Sequence, residues 1–212
     1  MSHDLVLFDL DGTLSDPLQG IGRSINYSLV HFGYQPLEFS RLAAFVGPPL
    51  DETFRTITGV NTEFELNALV AKYRERYAEV GYSENALYPG IAEALATLST
   101  MGVPMAVCTS KRVDFAEQIL EMFGLRHHFR YVDGGEIGIQ KWQQIEALRS
   151  AGKVSQSSVM VGDRSVDLVA AHRNGLKAGA VLWGYGSHAE LSGEHPLYFF
   201  DSPSELPQLA AG

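Results

Sequence analysis

Apolar positions along this chain follow two rhythms. Short unbroken runs occupy residues 5–8, 104–108, 129–132, 158–161, 178–182 and 197–200, and such runs predict strands covered on both faces. Between most of them, apolar residues recur at three- and four-residue steps. That spacing predicts helices over 91–100 (Ile91, Leu95, Leu98), 113–123 (Ala116, Ile119, Leu120, Phe123), 141–150 (Trp142, Ile145, Leu148) and 165–174. Gly102, Gly124 and Gly175 stand where three of these helices should stop, ready for the left-handed turn that closes a helix. Strand alternating with helix predicts an α/β fold, a Rossmann-like parallel-sheet core with helices on both faces.

Residues 16–88 break the alternation and carry helical patterns with no convincing strand. The clearest covers 62–80, where Leu66, Leu69, Val70, Tyr73, Tyr77 and Val80 form a stripe and Thr62 with Glu65 makes a capping box. Residues 21–32 and 37–46 are further helical segments. A strand–helix–strand crossover needs about 30 residues, and the stretch from Asp11 to Thr109 is about three times that. The simplest division is a helical unit over 16–88 inserted into a core made of 1–15 and 89–212, with hinges at 15–17 and 85–90.

Composition narrows the partners. Of the 212 residues, 45% are hydrophobic and 19% charged, an ordinary balance for a packed protein. The formal net charge of −9 sets an acidic surface against nucleic acid and anionic lipid, so neither is expected as a partner. No apolar run approaches the length of a membrane span. The first ten residues are too short and too acidic for a signal peptide. The lone Cys108 can form no internal disulfide and sits in an apolar run as packing. Together these predict a cytoplasmic location. His127 and His128 are adjacent, point in different directions and chelate poorly, so they are expected to be surface or structural residues.

Ligands of open α/β sheets bind beyond the carboxyl ends of the strands. Asp9 and Asp11 follow the first predicted strand, Thr109, Ser110 and Lys111 the second, and Gly162, Asp163 and then Asp167 the fourth. Lys141 opens the helix after the third. Singly, each has a plainer reading: Asp11-Gly12 as a turn, Asp163 or Thr109 as a helix cap, Lys141 as a solvated helix residue. Gathered on one rim, the carboxylates would repel one another without a counter-ion. A hard divalent cation, Mg2+ above all, is the natural one, because it takes a few carboxylates together with water and phosphate oxygens.

These segments, Asp9-Leu10-Asp11-Gly12-Thr13, Thr109, Lys141 and Gly162-Asp163-Arg164-Ser165-Val166-Asp167, resemble the haloacid-dehalogenase superfamily of phosphatases over nearly the whole chain. The helical insertion resembles the first class of cap in that superfamily. Residues 45–50 (Phe-Val-Gly-Pro-Pro-Leu), Arg164 and residues 182–187 (Leu-Trp-Gly-Tyr-Gly-Ser) resemble its 5′-nucleotidase-like branch, often labelled phosphoglycolate phosphatase. Many relatives carry proline after the lysine, where this chain has Trp142.

The resemblance implies a hydrolase of small phosphorylated metabolites, nucleoside monophosphate or phosphoglycolate foremost. Asp9 would attack phosphorus to form an aspartyl phosphate, and Asp11 would act as acid, then base. Mg2+ would be held by the Asp9 side chain, the Asp11 backbone carbonyl and Asp163. Thr109 and the Ser110 backbone would bind the phosphoryl group, and Lys141 would neutralise charge. Asp167 would support the metal site or orient Lys141. Gly47 would contact the substrate, unless its loop merely joins two cap helices. Trp183 to Gly186 would either pack against the cap or form a buried connection. A phosphomutase on the same scaffold and a phosphate-accepting signalling module are the alternatives.

Overall fold

The structure, a computed structural model, describes residues 3–136 and 138–211; Met1, Ser2, Ile137 and Gly212 of the predicted core lie outside the described residues. The chain enters through strand β1 (Val6–Phe8) and a short strand β2 (Ser15–Asp16). It then runs through helices α1 (Leu18–His31), α2 (Phe39–Leu42), α3 (Leu50–Thr58) and α4 (Glu63–Glu79). A second short strand, β3 (Ala86–Leu87), leads to α5 (Ile91–Thr100), β4 (Met105–Cys108), α6 (Val113–Met122), β5 (Val132–Asp133) and α7 (Lys141–Ser150). The last elements are β6 (Val159–Gly162), α8 (Ser165–Arg173), β7 (Lys177–Val181), α9 (His188–Ser192), β8 (Tyr198–Phe200) and a 3-10 segment, Pro203–Ala210.

Two compact units result, Met1–Asp16 with Leu87–Gly212, and Pro17–Ala86. The first is the α/β core. Its six-stranded sheet runs β5-β4-β1-β6-β7-β8 with every pairing parallel. Chain order therefore reverses around β1: β4 pairs on one side of it and β6 on the other. The crevice that opens at such a reversal, beyond the carboxyl end of the strand, is where doubly wound sheets bind ligands.

Register sets the faces. Leu7 pairs with Ala106 and Met160, and Met160 with Ala178. These residues, with Cys108 and Ala180, pack on Ile145 and Leu148 of α7 and Leu168 and Ala171 of α8. Their neighbours Val6, Phe8, Val107, Val159 and Val161 are also fully buried, which explains runs without polar alternation.

The second unit is helical. Its longest helix, α4, is capped by Thr62, whose side chain accepts the Glu65 backbone N–H at 3.4 Å. Leu66, Leu69, Val70, Tyr73 and Tyr77 form its buried stripe.

Several expectations shift. Only Val132–Asp133 of the third core strand is regular, because Arg126–His128 takes up a 3-10 turn and Phe129 turns inward, edge-on to Phe8 with ring centres 6.4 Å apart. The helix expected over 37–46 starts late and breaks into α2 and a 3-10 turn, Ala43–Phe45. The Asn26 amide holds both the N–H and the carbonyl of Leu37, at 2.8 and 2.9 Å, so those groups do not need a helix. Helices α3 and α9 and the strands β2 and β3 were not foreseen. Among the described residues, no helix is long and apolar enough to cross a membrane.

Candidate active site

Asp9 follows β1 directly, and its N–H still donates to Val161 O at 2.9 Å, so the strand ladder fixes the residue at the centre of the sheet. The chain then folds back on itself: Leu14 N and Ser15 N both donate to Leu10 O, at 2.9 and 3.1 Å, and Gly12 N to Ser15 O at 2.8 Å. Gly12 has φ of 84°, and a Cβ there would run into the Asp163 carboxyl group, so glycine alone fits both the turn and its neighbour. Thr13 Oγ1 donates to Asp163 Oδ1 at 3.2 Å.

Asp163 follows β6 and is fully buried. Its second oxygen, Oδ2, accepts the Tyr185 N–H at 2.8 Å. The loop after β7 presses on it, and a Cβ on Gly184 or Gly186 would collide with Asp163 atoms. Trp183 Nε1 donates to Thr13 O at 2.9 Å, which ties this loop to the β1 turn. Residues 183–186 are half-buried, and their contacts within the core unit include Asp163 and Thr13.

Lys141 opens α7 and is only 3% exposed. Its Nζ lies 3.0 Å from Asp9 Oδ1 and donates to Asp167 Oδ1. Asp167 Oδ2 accepts the Arg164 N–H at 3.1 Å, so both of its oxygens are engaged. Asp9, Asp163 and Asp167 are the cluster found among the described residues, with carboxylate oxygens within 4.8 Å of one another. The Asp11 carboxylate is not part of it and turns to Lys111, whose Nζ is 2.8 Å from Oδ2.

Thr109 follows β4 on the same rim, almost fully buried, with its N–H on Asp133 O at 3.0 Å. Gln144 Nε2 braces it, donating to Thr109 O and Asp133 Oδ2, both at 3.2 Å. Ser110 is exposed beside it. Gly47 belongs to the Pro17–Ala86 unit, exposed in the loop ahead of α3 with φ of 102°.

Burial pushes the Asp163 carboxyl up, and the nearby Asp167 and Asp9 charges push the same way. Burial also raises Asp167, with Lys141 pulling it back. Burial opposes the charge of Lys141, but Asp167 and Asp9 outweigh it and hold the ammonium above the usual lysine value. Asp11 is raised by burial, against the pull of Lys111. The centre therefore carries more buried negative charge than its one shared lysine neutralises. Asp9 Oδ1 is buried, with the Lys141 ammonium 3.0 Å away as its ion-pair partner and no hydrogen bond. An all-oxygen donor set with surplus charge fits a hard divalent cation.

Lys111, Thr13, Gln144 and Tyr185 received no role from the sequence. Gln144 had a signal: Lys141, Gln144, Ile145 and Leu148 share the i, i+3, i+4, i+7 stripe that α7 buries. The Tyr185 contact is made by its backbone and has no side-chain signal.

Comparison with known proteins shows the family to which the chain is similar. The family described as haloacid dehalogenase-like hydrolase matches residues 6–181. A protein named 5′-nucleotidase from Pseudomonas aeruginosa is 36% identical over 208 residues, covering 96% of this chain and 94% of that protein. A protein named tyrosine-protein kinase PtkA from Mycobacterium tuberculosis is 39% identical over 189 residues, covering 87% of this chain and 64% of that protein. The crystal structure of a predicted phosphatase from Clostridium acetobutylicum superposes with a TM-score of 0.90 at 36% identity, over 98% of both chains.

Proposed function

The chain belongs to the haloacid dehalogenase-like hydrolase family and is an enzyme of its phosphatase type, and we propose that it hydrolyses a small phosphomonoester through a phosphorylated Asp9. The observation that carries this reading is the meeting of Asp9, Asp163 and Asp167 within 4.8 Å around the buried Lys141, from segments far apart in sequence.

Asp9 is the nucleophile. Lys141 holds its carboxylate and offsets charge gathering on the phosphoryl group. Thr109 and the Ser110 backbone donate to a phosphoryl oxygen. Asp11 protonates the leaving oxygen, then takes a proton from the water that hydrolyses the intermediate. Asp167, with one oxygen on Lys141 and the other on Arg164 N–H, orients the lysine. Asp9, the Asp11 carbonyl and Asp163 would hold Mg2+, which supplies positive charge to both the acids and the phosphate. The substrate classes favoured by the resemblance are nucleoside monophosphates and phosphoglycolate. The cytoplasm suits a chain whose one cysteine is buried and free.

A panel of nucleoside monophosphates, phosphoglycolate and sugar phosphates, assayed for phosphate release, should give turnover that vanishes on chelation and returns with Mg2+. Absence of release from every member in the presence of Mg2+ would sink the reading. Binding has its own readout. Mg2+ at a hundred times its dissociation constant should stabilise the fold by about 2.7 kcal/mol, a rise of several degrees in Tm. Asp163→Asn should abolish that rise; an undiminished rise would remove Asp163 from the ligand set.

A further inference from the structure

The proposed proton-transfer residue, Asp11, has a partner of its own. Lys111 Nζ lies 2.8 Å from Asp11 Oδ2, and the two side chains are only 7% and 14% exposed. The other carboxylate oxygen, Oδ1, is buried and has no hydrogen-bond partner. Two lysines thus divide the acids of the site. Lys141 serves Asp9 and Asp167, and Lys111 serves Asp11.

The mount for Lys111 is rigid. Its N–H donates to Thr109 Oγ1 at 3.3 Å, and its carbonyl accepts the Gly135 N–H at 2.8 Å. Gly135 comes so close that a Cβ there would overlap the Ser110 carbonyl group. The backbone on both sides of the lysine is therefore held by the ends of β4 and β5. A carboxylate gripped by one oxygen from such a mount can offer only the other to a reacting group.

We propose that Lys111 is a positioning residue for proton transfer: it grips Asp11 Oδ2 so that Oδ1 faces the leaving oxygen. This rests on the reading of Asp11 as acid and base. In the first half-reaction an Asp9 oxygen bonds to phosphorus and the ester P–O bond breaks. The bonding pair stays on the leaving oxygen, which takes the proton from Asp11 Oδ1. In the second half-reaction water gives a proton to Oδ1 as its oxygen bonds to phosphorus. The bond from phosphorus to Asp9 breaks, and inorganic phosphate departs.

The test uses two substrates whose leaving groups differ in their need for that proton. A nucleoside 5′-monophosphate expels an alkoxide, which needs it, whereas p-nitrophenyl phosphate expels a stable phenolate, which does not. With Mg2+ present, Lys111→Met should lower kcat/KM for the nucleoside monophosphate about 100-fold, the lower end of general-acid effects, and for the aryl ester less than about threefold. The ratio of the two values is independent of how much of the variant folds. An unchanged ratio, whether both substrates slow together or neither does, overturns the proposal, because a lysine that binds phosphate or merely supports the fold affects both alike. Asp11→Asn run beside it separates the two levels: an unbiased loss in that variant overturns Asp11 as the acid, whatever Lys111 does.

Discussion

Asp9→Asn should lower phosphate release by about 10⁴-fold or more, the scale of losing a covalent nucleophile. The amide keeps the size and the place of the carboxylate beside Val161 but cannot attack phosphorus at any useful rate. The variant should fold. Replacing one of three carboxylates packed within 4.8 Å removes like-charge repulsion, and Lys141 keeps Asp167 as its partner. Its Tm in chelator should therefore be no lower than that of the unaltered protein. The discriminating pair of measurements is turnover with Mg2+ and thermal unfolding without it. Full turnover in Asp9→Asn would move the nucleophile elsewhere.

The largest effect on stability should come from Lys141→Met. The lysine is 3% exposed and stands between Asp9 and Asp167, so its loss leaves buried carboxylates facing each other without their shared cation. Removing one partner of a buried ion pair costs about 3–5 kcal/mol, most of it the penalty of the charge left behind. Denaturant unfolding in chelator should show a loss of that size, and kcat should fall about 10²- to 10³-fold, as when one donor to the transferring group is lost. The double variant Lys141→Met with Asp167→Leu tests the cause. With the stranded acid gone as well, part of the stability should return while activity stays low. A single variant within about 1 kcal/mol of the original would mean that the pair is already neutral in the fold.

Much of the core was legible because its strands are buried on both faces, so residues such as Val6, Leu7 and Phe8 read as an unbroken run. The regular helices were legible because one stripe of each is buried, as in Ile91, Leu95 and Leu98. What escaped depends on tertiary partners. Asn26 delays the helix expected over 37–46 by holding Leu37 from a position eleven residues away, and no local pattern announces that. Helix α3 escaped although Pro49 stands before it, Asp51 and Glu52 fill its first turn and Gly59 closes it in the left-handed region. Its threonines hid it. At the site, Asp9, Thr109 and Asp163 were legible because each stands at the end of an apolar run. Which lysine faces which acid was not. Lys111 and Lys141 each stand near a strand end in sequence, and only the sheet order gives Asp11 to one and Asp9 to the other.

The reversal of strand order around β1 also bears on how the molecule comes to exist. Leu7 is made well before its two neighbours in the sheet, Ala106 and Met160. Until then the most apolar strand of the protein has no edge to join. Closing those long loops costs entropy before any contact repays it, so folding should be slow for a chain of this length. Asp9, Asp163 and Asp167 come together only when the middle of the sheet closes, so a nascent or half-folded chain lacks that cluster.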